Sequence, residues 1–306
     1  MYDQPFPQFK LPPWFGGQMG VPGSDTPLGF RMAPQGLVYY VDPSHGDASD
    51  NNDGTDPNQP KSTIQSAITA SNATINWANT PPYKGFNTII ISPGQYDENL
   101  TPPYYCKVIG LGLATGNTTD ICVNVEPTAG SALAGTGLAA HFYNIRFTCN
   151  TAAPVIDFGV MNSCVFENCA IVDGNPGLAT VGIDCTDANS SVIVGCVITG
   201  NSNPHTIGIR STGDFYSCRV LGCHINASTT GIHLSDGAGL CGNALIAHNY
   251  IHYPASGIIC ANGGAFVIDN WIGASVDAIS HTDANLTIAN HIALAGAGAI
   301  ELAGTD

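Results

Sequence analysis

Four side chains in this sequence have the types and spacing for acid–base work: Asp157, Asp184, Arg210 and His233. Each directly follows an isoleucine (Ile156, Ile183, Ile209, Ile232), at steps of 27, 26 and 23 residues. If equivalent positions of a repeat stack as neighbouring strands, these side chains come about 4.8 Å apart on one face. Two carboxylates about 5 Å apart suit a retaining glycosidase, and an arginine beside them could act as a lyase base. The competing reading is a surface charge ladder in which Arg210 pairs with Asp184, and the residue types favour it.

A second candidate is the acidic turn carrying Asp47, Asp50, Asp53 and Asp56, which has enough oxygen ligands for Ca²⁺. It lacks the glycine-then-glutamate spacing of an EF-hand, so an Asx-rich turn that satisfies its own backbone is the expected reading. The eleven cysteines show no C-x2-C zinc spacing. Reduced thiols acting as small buried hydrophobes are expected. No cofactor motif stands out, and the sequons at Asn72, Asn117 and Asn226 carry little weight in this composition.

What would position these residues is a repeat. One series of strand-type apolar residues runs Phe147, Ile171, Ile198, Ile225, Ile251, Ile272, Ile292, at steps of 24, 27, 27, 26, 21 and 20. A second runs Ile156, Ile183, Ile209, Ile232, Ile258, Ile279, Ile300, at steps of 27, 26, 23, 26, 21 and 21. Two series that lengthen and shorten together mark one unit repeated seven times. Each unit holds only short β-type runs between Gly, Asn, Asp and Ser, which is one rung of a parallel β-solenoid.

The repeat makes columns. Two places before the first anchor stand Ile145, Cys169, Cys196, Cys223, Asn249, Asn270 and Asn290, on the same inward side as the anchor. Thiols followed by an amide ladder suit an interior bend. One place before the anchor stand Arg146, Ala170, Val197, His224, Tyr250, Trp271 and His291, expected to point outward. The late members, His224, Tyr250, Trp271 and His291, form a stripe read first as a subunit contact and second as a sugar platform. Immediately after the second anchor, the column of Asp157, Asp184, Arg210 and His233 continues through Ile259, Ser280 and Glu301.

Ahead of the rungs the chain changes character. Residues 1–36 interleave prolines with Phe6, Phe9, Trp14, Phe15 and Phe30, a density that blocks helix and sheet yet supplies interface anchors. We expect an extended arm in which Trp14 and Phe15 dock on another subunit or particle. Residues 37–306 are expected to form one solenoid, with 37–107 as its N-terminal cap region and 108–306 as rungs. Within the cap region, Ile64, Ala67 and Ile68 share a helical face, and Ser62 with Gln65 reads as a capping box.

In its motifs this region resembles a known family. Tyr39-Tyr-Val-Asp-Pro43, the Asn52-Asp-Gly54 turn, Thr63-Ile-Gln-Ser-Ala-Ile68 and Ile90-Ile-Ser-Pro-Gly-Gln-Tyr-Asp-Glu-Asn-Leu100 look like the N-terminal cap of pectin-lyase-like β-helix proteins. The resemblance implies an all-β, right-handed, single-stranded parallel β-helix with a short capping helix, a handedness that parallel crossovers share. It implies little about activity, because lyases, hydrolases, adhesins and phage spikes share the scaffold. The Asp-Asp pair, Gly-His-Gly and Arg-x-Lys of polygalacturonases are missing, as is the basic calcium-bound cleft of pectate lyases.

Composition narrows the partners. Eight Lys plus Arg against 23 Asp plus Glu give a formal charge of −15, which disfavours nucleic acid and polyanionic sugars. No apolar run is long enough to span a bilayer, and no Sec signal is visible, so assembly in a host cytoplasm is expected. The last rung, with no helix after Ile300, should meet a second subunit or another partner. The leading expectation is therefore a virion structural or adhesive protein (a head fibre, decoration protein or tailspike). It would be a homo-oligomer, a trimer by analogy with phage spikes, attached to capsid or tail proteins through residues 1–36, with surface glycans as a further partner. A carbohydrate-active enzyme and a surface carbohydrate-binding module are the alternatives.

Overall fold

The computed structural model describes residues 36–75, 86–112, 114, 122–174, 181–200, 204–235, 239–252, 254–261, 263–274, 276–281, 287–288, 290–292 and 298–302. The whole of the arm up to residue 35, with Trp14 and Phe15, lies outside them, as do the side chains of His291 and Glu301.

Short strands wind into a right-handed parallel solenoid with three faces. On face one, Phe147 lies opposite Ile171, which continues in register through Ile198, Ile225, Ile251, Ile272 and Ile292. On face two the register runs Ile156, Ile183, Ile209, Ile232, Ile258, Ile279, Ile300. Both match the two sequence series at every step. Face three was not anticipated as a separate series: Phe142, Phe166, Ile193, Val220, Ile246 and Val267 stack along it. Its earlier strands, Val38–Val41, Asn87–Ile91 and Tyr104–Gly110, begin the solenoid.

Parallel strands cannot turn by tight hairpins, so each rung must turn three times, once between each pair of faces. Two of these turns are made by single left-handed residues. Between faces three and one stand Asn144, Asn168, Gly195, Gly222, His248 and Asp269, with φ between 51° and 61°. Between faces two and three stand Ala139, Ser163, Ser190, Ser217 and Asn243, with φ between 50° and 57°. Asn, Asp and Gly tolerate this region best, which explains why they punctuate each unit. After most of these bends comes a small buried residue: Cys169, Cys196, Cys223 and Asn249 at the first, Cys164, Ser191, Cys218 and Ala244 at the second.

The interior is a continuous apolar column. Its lower part holds an aromatic cluster, with Phe142 stacked on Phe166 at 5.1 Å and Phe147 and Phe158 edge-on to them. Above it the three Ile/Val columns are fully buried as far as Ile272, Ile279 and Val267, each side chain contributing about 1.5–3 kcal/mol of transfer free energy. In the first column the inward amides are as expected. Asn249 is 2% exposed and Asn270 0%, and the Asn270 Oδ1 accepts from the backbone and side-chain nitrogens of Asn249 at 3.0 and 2.9 Å. Asn290 Oδ1 accepts in the same way from Asn270.

Helix α1 (Ile64–Thr74) closes the first rung with Ile64, Ala67, Ile68 and Ser71 buried. The expected Ser62–Gln65 capping box does not form, and the N-cap falls one residue later. Thr63 is the N-cap and accepts from Ser66 N, while Gln65 Nε2 turns away to donate to Thr101 Oγ1. The helix N-terminus is instead held by Glu98, whose carboxylate accepts from Ile64 N and Gln65 N at 2.9 and 2.8 Å. A carboxylate at that end also meets the positive pole of the helix dipole.

The outward column of face one departs from expectation at its lower end. Arg146 is 5% exposed and Ala170 fully buried. Ala114 and Cys122 pack over Ala170 and Val172 as a second small apolar cluster, so chain outside the solenoid wall covers those rungs.

Candidate functional site

Face two brings Asp157, Asp184, Arg210 and His233 into direct register as adjacent rungs of one outward column. Arg210 reaches back one rung, donating from Nε to Asp184 Oδ1 at 2.9 Å and from Nη2 to Oδ2 at 2.6 Å. This fork-to-fork pair engages both carboxylate oxygens, and the Asp184 and Arg210 side chains are 14% and 30% exposed. An acid so held is a poor nucleophile, and a guanidinium so paired is a poor base. Asp157 stands one rung before, exposed. Desolvation, and then the negative charge of Asp184, raise its pKa, with Arg210 opposing. Above His233 the column turns to Ile259 and Ser280. The four sequence-selected residues are therefore brought together, as a ladder built around one ion pair.

Three carboxylates of the acidic turn, those of Asp50, Asp53 and Asp56, are occupied by the chain itself. Asp50 accepts from Ser62 N, Thr63 N and the hydroxyls of Ser62, Thr63 and Ser66, so it ties the turn to the start of α1. Asp53 accepts from Thr55 N and Oγ1, and Asp56 from Asn58 N. These bonds hold Asp50 and Asp53 below the usual carboxylate range, against burial in the case of Asp50. Among the described residues no three acids, histidines or cysteines converge as a metal-ligand set, Asp47 included.

Face one carries the aromatic column. His224, Tyr250 and Trp271 are in register, and the Trp271 and Tyr250 rings stack at 4.2 Å. His252, two residues beyond Tyr250 on the same outward side, stacks on both rings at 5.1 and 5.5 Å. His224 meets Tyr250 edge-on at 5.2 Å. The rings thus present much of their π-surface to one another, whereas a sugar platform needs free faces. His252 was absent from the sequence-derived stripe, although its period-two relation to Tyr250 placed it there.

Lower on the same face lies a polar cluster with no sequence signal beyond its register. Glu126 accepts from Gln95 Nε2, Asn124 Nδ2 and Asn150 Nδ2 at 2.8, 2.7 and 2.8 Å, which lowers its pKa despite burial. Arg146 Nε donates to Thr148 Oγ1 beside it.

A protein-family model described as a right handed beta helix region matches residues 120–272. No curated protein and no solved structure matches the chain.

Proposed function

We propose that this chain, which belongs to the right-handed β-helix family, is a structural or adhesive component of a virion, self-associated and fixed to its particle through residues 1–36. The observation that carries this reading is the bidentate Arg210–Asp184 pair. It neutralises the best catalytic constellation in the sequence and leaves Asp157 without an acid partner free to act. The aromatic column is likewise packed on itself, and the cysteines fill the interior as small hydrophobes. The arm, with seven prolines and five Phe or Trp residues before position 37, has the composition of an extended anchor. Assembly in a host cytoplasm fits eleven thiols kept reduced.

Two measurements test the reading together. Electron microscopy of phage-type particles assembled with and without residues 1–36 should show β-helix density only when the arm is present. Incubation of the full chain with neutral and acidic polysaccharides should release neither reducing ends nor unsaturated uronides. Release that disappears in Asp184→Asn would instead establish the carbohydrate-active reading.

A further inference from the structure

The three outward faces differ in chemistry over the same rungs. Face two presents Asp184, Arg210 and His233, and face one its aromatic column. On face three Val192, Val194, Leu221, Leu245, Phe266 and Ile268 stand outward in two adjacent columns, and Arg219 is the one charge among the outward positions of those four rungs. Their inward neighbours Ile193, Val220, Ile246 and Val267 already fill the core. A solvated sheet face alternates apolar-in and polar-out, so apolar residues on both sides mark a wall that packs on something. Lower on the same face the chain covers itself: the outward Thr88 and Ile109 are buried, and the Phe86 ring lies 5.1 Å from that of His141.

We propose that the upper wall seats the chain's own arm, residues 21–32 lying along it in cis with Phe30 against Val192 and Val194 and Leu28 against Leu221. The place where the arm ends, its length and its composition all select it. The outward column that starts at Val38, beside the arm, is the column that reaches Val192 five rungs on, about 24 Å away at ~4.8 Å per rung. Phe30 stands seven residues before Leu37 and Leu28 nine. Extended chain at ~3.3 Å per residue carries them about 23 and about 30 Å along, level with the Val192–Val194 rung and with the rung of Leu221 above it. Leu28, Phe30 and Met32 alternate with Gly29 and Arg31, so an extended segment turns all three apolar side chains to one side. At Gly36 the chain leans towards the later rungs, because a Cβ there would collide with the carbonyl oxygen of Phe86, one rung on. Lys10 and Arg31 balance Asp3 and Asp25 within residues 1–35, so the whole −15 lies on the remainder and the arm approaches the wall without net repulsion. Tethered to the same chain, the segment meets the wall at an effective concentration on the order of millimolar, so a modest apolar contact holds it.

The contact leaves Phe6, Phe9, Trp14 and Phe15 to a particle, and it stands apart from the virion reading because it forms within one free chain. Trypsin tests it on the full-length chain, since Lys10 and Arg31 are the only Lys and Arg of residues 1–35. Arg31 lies inside the docked segment and Lys10 outside it. Cleavage after Arg31 is expected to be about tenfold or more slower than after Lys10, because proteolysis tracks the population in which the segment is released. The ratio is expected to be the same at about 1 and about 100 μM chain, as a tethered contact requires. Leu221→Glu on the wall and Leu28→Ser on the arm are each expected to bring Arg31 to the rate of Lys10. Circular dichroism checks that Leu221→Glu remains folded, and Leu28→Ser makes the same test without altering the solenoid. Arg31 cut as fast as Lys10 in the native chain would overturn the proposal. Protection seen only at the higher concentration would also overturn it, by placing a second copy on the wall, and so would protection that survives both substitutions.

Discussion

The indole of Trp271 lies face to face with the ring of Tyr250 one rung below, their centroids 4.2 Å apart and their planes 10° from parallel. The stack depends on Gly273, because a Cβ there would stand 3.0 and 3.1 Å from Cη2 and Cζ3 of the indole. Gly273 is also the in-register neighbour of His252, so the indole leans across its own strand towards both rings.

Gly273→Val should therefore displace Trp271 without touching the core. The expected result is a changed near-ultraviolet dichroism and indole emission, with global stability shifted by about 1 kcal/mol or less, as for a surface change. An unaltered aromatic signal would mean that the stack does not exist in solution.

The amide ladder should matter far more. Asn270 Nδ2 donates to Ile246 O, Ile268 O and Asn290 Oδ1, and its Oδ1 accepts twice from Asn249. Asn270→Ala strands several buried partners at once, each costing about 1–3 kcal/mol. We expect a loss of about 3 kcal/mol or more, against about 1 kcal/mol for Cys223→Ala in the same column, read as the difference between their urea midpoints.

Much of this fold was legible because a solenoid repeats its register as well as its composition. The Ile198–Ile225 and Ile209–Ile232 pairings follow from counting alone. Face three was hidden for a related reason. Val220 precedes Ile225, and Ile246 precedes Ile251, by the same five residues, because the bend between them is a fixed single left-handed residue. A series locked to another adds no phase of its own. Burial of Ala170 was not legible, because Ala114 and Cys122 approach from outside the repeat. At the cap, Ser62 and Thr63 both suit an N-cap, and the distant Glu98 made the choice. The ladder of Asp157, Asp184, Arg210 and His233 was placed correctly by period, but only geometry shows that Arg210 grips Asp184 with two bonds.

His205 gives the fold an acid limit. It is fully buried at the entry to face two, its Nε2 3.4 Å from Ile171 O and its Nδ1 without a hydrogen-bond partner among the described residues. Desolvation lowers its pKa from 6.5 to about 4. Between those values the unfolded chain binds the proton and the folded chain does not, so stability is full above pH 6.5 and falls as the pH drops towards 4. By linkage the loss reaches about 3 kcal/mol. His141 also titrates at about 4, but it is partly exposed and contributes less. His205→Gln should flatten the slope of thermal stability against pH in that window, and an unchanged slope would remove His205 from the account.

The thiols offer a test that joins packing to compartment. All eleven cysteines are buried. Burial pushes the thiols of Cys106, Cys164 and Cys218 up to about 12, 11 and 11, so little thiolate exists at neutral pH to react or oxidise. In the first column Cys169, Cys196 and Cys223 sit one rung apart, a spacing that puts in-register Cβ atoms near the upper end of what a disulfide tolerates, and their Sγ atoms donate to backbone carbonyls. Native protein should therefore leave an aromatic disulfide reagent almost unreacted over minutes at pH 8. The same protein denatured without reductant should titrate close to eleven thiols, matching the count in the sequence. Fast reaction of the native chain would mean that the rungs open readily. A denatured count near zero would mean that the cysteines oxidise, and assembly in a reducing cytoplasm would fall with it.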